Sequence, residues 1–217
     1  IVRSTNKILE SEFAKQDGFL DNSVVVLDFA CGTGTFLVLI FEEMLEKLKL
    51  RGEEKQLAGL VRDHFLKNFY GFEYLIAPYA VAHLKLSQVL ADNGYKLSGK
   101  ERLQVYLTNT LDNTPHKPDN MFPNLSHEGQ AARELKERKP VLVVTGNPPY
   151  SVHSSNKTPH IELLMEDYKK AVKSERNIQP LSDDYIKFIR FAQWKIDQNG
   201  KGVVAIITNN SYLGGII

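Results

Sequence analysis

The sequence predicts an α/β fold, with a mostly parallel sheet covered by helices on both faces. Two observations predict it. Short, continuous apolar runs of strand length alternate with longer segments whose apolar residues recur at helical spacing. The runs are apolar at successive positions, as strands covered on both faces are, and strands separated by helices close by right-handed crossovers into a parallel sheet.

Val24 to Phe29 is the first such run. A helix follows from near Thr35, with Leu37, Ile40, Phe41, Met44, Leu45 and Leu48 on its apolar side and Gly52 as its stop after Lys47, Lys49 and Arg51. Leu57 to Lys67 reads as a second short helix, and Phe69 to Phe72 as a strand ending at Glu73. Ile76 to Ala91 is helical, with Ala80, His83, Leu84 and Leu90 on a common side and Asn93-Gly94 as the stop. Gln104 to Leu107 and Val141 to Thr145 are the third and fourth strands. Asp112 to Glu128, rich in Pro, Asn and His, reads as a loop, and the mixed charge run Arg133 to Lys139 as a solvated helix end. Ser151 to Pro180 reads as an insertion carrying one helix around Ile161 to Lys173. Ser182-Asp183-Asp184 start a helix with Tyr185, Phe188, Ile189, Ala192 and Ile196 inward, and Gly202 to Thr208 form a fifth strand.

With 217 residues and 42% hydrophobic content, the chain can bury one substantial core, so residues 1–217 are expected to form one domain. Its 27 Lys+Arg against 26 Asp+Glu leave a net charge of +1, without the basic excess that usually grips a duplex. Either any nucleic-acid contacts of this chain are few, or the main grip lies on sequence outside it. The only cysteine, Cys31, rules out an internal disulfide and a cysteine zinc cluster, and the six histidines have no metalloprotease spacing, so no metal is expected. No apolar run approaches the ~20 residues of a bilayer span. Arg3, Lys7 and Glu10 interrupt any signal-like start, which points to the cytoplasm. Both ends read as cut within a longer protein.

The richest signal follows the first strand, in Asp28-Phe29-Ala30-Cys31-Gly32-Thr33-Gly34. Two glycines there allow a sharp turn where a side chain would block a ligand beyond the strand's carboxyl end. A dinucleotide site would want a third glycine where Leu37 stands. Its ribose-binding acid would come ~20 residues on, whereas Glu73 comes about twice as far along. A nicotinamide dehydrogenase is therefore disfavoured.

The second signal, Asn147-Pro148-Pro149-Tyr150, follows the fourth strand. An exocyclic amine on an aromatic ring is a poor nucleophile because its lone pair is delocalised. Two acceptors aimed at its hydrogens pull the nitrogen toward tetrahedral geometry and free that pair. Asn147 offers a side-chain carbonyl and Pro148 a main-chain carbonyl, on a loop stiffened by Pro149. Tyr150 offers a flat face for a base taken out of its stack.

These two motifs, in this order, resemble motif I and motif IV of the gamma class of adenine-N6 DNA methyltransferases. Asp184 to Gly215 is similar to the same region of large fused restriction–modification enzymes. The resemblance implies a Rossmann-like S-adenosylmethionine-dependent methyltransferase fold, truncated at its C-terminal strands. Nuclease and target-recognition domains are expected outside the chain, and double-stranded DNA with a flipped base as the partner. The cofactor would be S-adenosyl-L-methionine, cradled by Asp28, Ala30, Cys31, Gly32, Thr33 and Gly34, with Asp28 near its ammonium group. Glu73 would accept both ribose hydroxyls, Asn109 beside Thr110 would read the cofactor's adenine amine, and Asn147 would adjoin the cofactor. Asn147, Pro148, Pro149 and Tyr150 would be the catalytic loop. Ile1 to Ser4 would be the remnant of the helix beside the cofactor (motif X), and Val204 to Thr208 the motif VI strand. The family's aromatic residue facing Tyr150 across the base has no counterpart in the sequence.

Two rival readings stand beside this one. The same loop serves glutamine side chains and RNA bases in other amino-methyltransferases, and a catalytically silent DNA-binding or assembly module would keep the fold alone.

Overall fold

The computed structural model describes residues 1–114, 123–151, 154, 156–175 and 177–214. Its elements are α1 (Val2–Glu12), β1 (Val26–Asp28), α2 (Thr35–Arg51), α3 (Leu57–Leu60), a π-helical turn (Val61–Phe65), α4 (Leu66–Asn68), β2 (Phe69–Glu73), α5 (Ile76–Asp92), β3 (Gln104–Leu107), α6 (Pro123–Arg138), β4 (Val143–Gly146), α7 (Pro159–Ala171), α8 (Asp184–Asp197), β5 (Val203–Ile206) and α9 (Ser211–Gly214). The five strands are parallel throughout, in the order β3-β2-β1-β4-β5. Winding therefore reverses between β1 and β4, the point where parallel sheets open a crevice for ligands.

Alternation along the strands builds two cores. Val26, Phe69, Val105 and Val143 face α1, α2 and α5, meeting Leu9, Phe41, Met44 and Leu86. Their successors Leu27, Tyr70, Tyr106 and Val144 face α6, α7 and α8, meeting Leu135, Ile161, Met165 and Phe191. A strand buried on both sides cannot afford the polar-out alternation of a half-exposed one, which is why the runs are apolar throughout. β5 differs: it is an edge strand with none of its residues fully buried, and Val204 within it and Ile207 just after it are exposed. No described helix is long and apolar enough to cross a membrane.

Several expectations are corrected. Pro123 to Glu128 belongs to α6 rather than to a loop, with proline at the first helical position where it costs no hydrogen bond; residues 115–122 of that expected loop lie outside the described residues, as do residues 152, 153, 155 and 176 of the expected insertion and residues 215–217. The expected helix over Leu57 to Lys67 is interrupted by the π turn, which turns Val61, His64 and Phe65 all inward. On α5 the buried residues are Ala82, Leu86 and Leu90, whereas Ala80 and Leu84 face out. That helix is apolar nearly all round, so periodicity alone does not select its side.

The charge run on α6 is likewise not all solvated. Lys136 is buried against the Phe72 ring, 5.2 Å from its centroid. Its ammonium donates to Thr108 Oγ1 at 3.1 Å and to the carbonyls of Asn109 and Asp112, each at 2.7 Å. Lys195 of α8 is fully buried and donates to the carbonyls of Leu135 at 2.8 Å and Lys136 at 2.6 Å in the last turn of α6. Desolvation pushes Lys136 down to about 7 and Lys195 down to about 8. Together they tie α8 to α6, and α6 to the loop after β3.

Candidate active site

The carboxyl ends of all five strands share one rim. Asp28 ends β1 there and is wholly buried. Its Oδ1 accepts the Ala30 N–H at 3.3 Å, while Oδ2 has no partner among the described atoms. Burial pushes this carboxyl up to about 8, against the Ala30 N–H and with help from the charge of nearby Glu73. An unpartnered buried carboxylate oxygen is costly, and a cationic donor placed beside it removes both the missing bond and the missing countercharge. The residues present therefore fit an ammonium-bearing ligand at this point.

The turn after Asp28 bends through Gly32 and Gly34, at φ +54° and +81°, where side chains other than glycine's are strained. A side chain at Gly32 would meet open space, so this part of the turn faces a hollow rather than the core. Ala30 is half-buried and Thr33 exposed. Cys31 is buried, its N–H donates to the Phe72 carbonyl at 2.8 Å, and burial pushes its thiol up, so it serves packing rather than nucleophilic chemistry.

Glu73 binds this turn directly. Its Oε2 accepts the Gly32 N–H at 2.8 Å, and its Oε1 accepts those of Tyr74 at 2.8 Å and Leu75 at 2.7 Å. A carboxylate has about four acceptor positions, and three N–H groups fill most of them. One position is left for a ribose hydroxyl; accepting two requires one N–H to move aside. Exposed Tyr74, Leu75 and Ile76 form an apolar shelf beside it.

The loop after β3 joins the same rim, with the Thr108 N–H donating to the Glu73 carbonyl at 2.7 Å. Asn109 is half-buried; its amide nitrogen donates to Asn156 Oδ1 at 3.0 Å, and its oxygen accepts the Leu111 N–H at 3.0 Å. Thr110 is buried, and its hydroxyl donates to the Phe29 carbonyl at 2.5 Å. It ties one ligand-facing loop to another.

β1 and β4 are neighbours, and this brings the two sequence motifs together. The Phe29 N–H donates to the Thr145 carbonyl at 3.0 Å. Gly146 has φ +149°, and a Cβ there would lie 3.1 Å from Asp28 Oδ1 and 3.3 Å from the Ala30 nitrogen. Only glycine allows this approach. Beyond it Asn147, Pro149 and Tyr150 are exposed and Pro148 is buried. The Tyr150 hydroxyl lies 2.9 Å from Asn147 Oδ1 and 3.2 Å from the Ile207 carbonyl. Having one hydrogen, it satisfies one of them fully at a time, so Asn147 retains acceptor capacity.

Sequence reasoning missed several residues around this rim. Tyr185 of α8 stands behind Tyr150 with ring centroids 6.0 Å apart, and Tyr212 lies 6.2 Å beyond Tyr185. Asn156 and Asp184 back the β3 loop. The beginning of α1, expected beside the cofactor, lines a groove of about 500 Å³ with Thr35 and Phe36 at the start of α2 and Ile207 just after β5. The helical stripe of Tyr185, Phe188 and Ala192 was a signal for an inward Tyr185. Nothing local marked Asn156.

The comparisons bear on the family and the fold. The family described as MmeI, DNA-methyltransferase domain, matches residues 20–216. A nuclease-deletion mutant of the Type ISP restriction-modification enzyme LlaGI, in complex with a DNA substrate mimic, superposes at a TM-score of 0.79 with 25% identity, covering 98% of this chain and 17% of that one. The ATP-dependent Type ISP enzyme LlaBIII bound to DNA superposes at 0.80 with 27% identity, covering 98% and 14%. The Type IIL enzyme MmeI in complex with DNA, at 20% identity and a TM-score of 0.52 over 99% of this chain and 28% of that one, shares the fold. No curated protein matches the chain. The chain thus corresponds to a small part of these larger proteins, and it belongs to the MmeI DNA-methyltransferase domain family.

Proposed function

We propose that this chain is the catalytic domain of a site-specific DNA adenine methyltransferase within a fused restriction–modification enzyme. It would use S-adenosyl-L-methionine to methylate the exocyclic amine of an adenine flipped out of its duplex. The observation that carries this reading is the contact between the turns after β1 and β4: an orphaned buried carboxylate, Asp28, lies against Gly146, and the next residue, Asn147, is an exposed amide acceptor. The DNA complexes of LlaGI and LlaBIII support the choice of substrate.

In this reading Asp28 holds the ligand's ammonium group, Glu73 a ribose hydroxyl, and the shelf of Tyr74, Leu75 and Ile76 its flat ring. The bound cofactor supplies a methyl group activated on a positively charged sulfur. Asn147 Oδ1 and the Pro148 carbonyl accept the two hydrogens of the target amine and localise its lone pair toward that methyl. Tyr150, 47% exposed, gives the base a stacking face, with Tyr185 packed behind it. No general base is required, because the surplus proton leaves to water once the nitrogen has become cationic. Acceleration comes chiefly from positioning and from fixed dipoles in a partly dry cleft.

The test is mass spectrometry of nucleosides from DNA incubated with the full-length fused protein and S-adenosyl-L-methionine. N6-methyldeoxyadenosine is expected. Methylated cytosine instead, or methyl transfer only to RNA or to glutamine, would overturn the assignment.

A further inference from the structure

A continuous chain of polar groups runs from α8 to Asn109, and one end of it has a fixed polarity. Asp184 is buried at the start of α8, and its Oδ1 accepts the Ser154 hydroxyl at 2.5 Å and the Asn156 amide nitrogen at 2.9 Å. A carboxylate only accepts, so the nitrogen of the Asn156 amide must face Asp184. Its oxygen then faces the other way, where it accepts from Asn109 Nδ2 at 3.0 Å. Asn109 is left with its oxygen toward the Leu111 N–H at 3.0 Å and with one further lone pair on that oxygen.

Each link is held from the side as well. Ser154 Oγ accepts the Asn156 N–H at 3.0 Å and the Lys187 ammonium at 3.0 Å, and Lys187 also donates to the Asn156 carbonyl. Ser154 thus has its one donor and both acceptor positions in use. Lys187 is itself buried and sits one helical turn after Asp183, which caps α8. A reversed Asn109 amide would set its nitrogen against the Leu111 N–H and its oxygen against Asn156 Oδ1, two repulsive contacts in place of two bonds.

We propose that Asp184 and Asn156 are positioning residues that lock the Asn109 amide with its oxygen as the free acceptor, so that this corner of the cofactor site selects an amino group over a carbonyl. The proposal rests on the reading that Asn109 meets the adenine ring of the cofactor. It gives the segment between β4 and α8 a role at the cofactor as well as beside the amine loop. Adenine presents two N–H hydrogens at this edge, and its deaminated counterpart presents an oxygen.

The experiment measures, by calorimetry on the protein, the dissociation constants of S-adenosylhomocysteine and S-inosylhomocysteine. The native protein is expected to prefer the amino form by about tenfold or more, since a site built around one hydrogen-bonding group rejects its opposite. Asn156→Ala and Asp184→Ala should bring that preference close to parity, and Asp184→Asn, which keeps an acceptor oxygen, should retain most of it. Asn156→Leu, of similar size and unable to accept, gives the same readout if the alanine variant unfolds. A merely structural role would weaken both ligands equally and leave their ratio untouched. If Asn109→Ala abolishes the preference while the Asn156 and Asp184 variants keep it, the positioning role is wrong. If Asn109→Ala keeps it too, the assignment of Asn109 to the adenine ring falls, and the positioning role with it.

Discussion

The two sides of the rim are built in opposite ways. Around Asp28 and Glu73 the backbone closes on itself: three N–H groups converge on Glu73, Thr110 and Lys136 strap the neighbouring loop, and Asp28 is sealed from solvent. Around Asn147 the side chains stand out, with Asn147, Pro149 and Tyr150 exposed beside an edge strand. A pocket assembled by its own backbone suits a small ligand held in one pose. A projecting amide and ring suit a large planar partner that arrives with its own surface. On the proposed function, the difference means that affinity for the cofactor and turnover of the amine should be separable by mutation.

The sharpest break is Asn147→Ala. It should lower methyl transfer by about 10²–10³-fold, the scale of losing one fixed hydrogen-bonding group in a reacting site, while calorimetry finds cofactor binding intact. Turnover within a few-fold of native would remove Asn147 from its role. Next is Asp28→Asn. The carboxyl of Asp28 has an ordinary value of 3.8 and is held near 8 in the fold, so the folded chain keeps a proton that the unfolded chain has lost. Stability from this group is complete below about pH 4 and is lost as pH rises toward 8, with a slope of up to about 1.4 kcal/mol per pH unit. Asp28→Asn should flatten that part of the pH profile in denaturant titrations. It should also abolish the proton release expected when a cationic ligand binds near pH 7, read from calorimetry in buffers of different ionisation heat. A profile unchanged by the substitution would show that Asp28 is ionised throughout.

Glu73→Ala should weaken the cofactor by about 1–3 kcal/mol, the range for losing a charged hydrogen-bonding partner. Part of that comes from the three N–H groups it leaves without an acceptor. An unchanged dissociation constant would take Glu73 out of the site. The smallest effect is expected of Tyr150→Phe, which keeps the stacking face and should cost only a few-fold in turnover, whereas Tyr150→Ala should be severe. Equal losses would assign the role to the hydroxyl that lies between Asn147 and Ile207.

Most of the sheet was legible because its strands are buried on both faces, and only apolar runs satisfy that condition. Asp28 and Asn147 were legible because each follows such a run within a few residues, so that local sequence alone puts them at a strand's carboxyl end. Lys136 and Lys195 were not. A lysine in a helix ordinarily reads as solvated, and what makes burial tolerable here is a set of carbonyls from other elements. The same holds for Asn156, whose importance lies wholly in what Asp184 and Asn109 do on either side of it. Helix α5 failed in a third way, since a segment apolar on most sides carries no directional information.

One consequence of Gly146 reaches past its own backbone. With only a hydrogen at Gly146, the turns after β1 and β4 approach so closely that an added Cβ would lie 3.1 Å from Asp28 Oδ1 and 3.3 Å from the Ala30 nitrogen. Gly146→Ala would set a methyl group against Asp28 Oδ1 and strain a backbone held at φ +149°, so one of the two turns would have to shift.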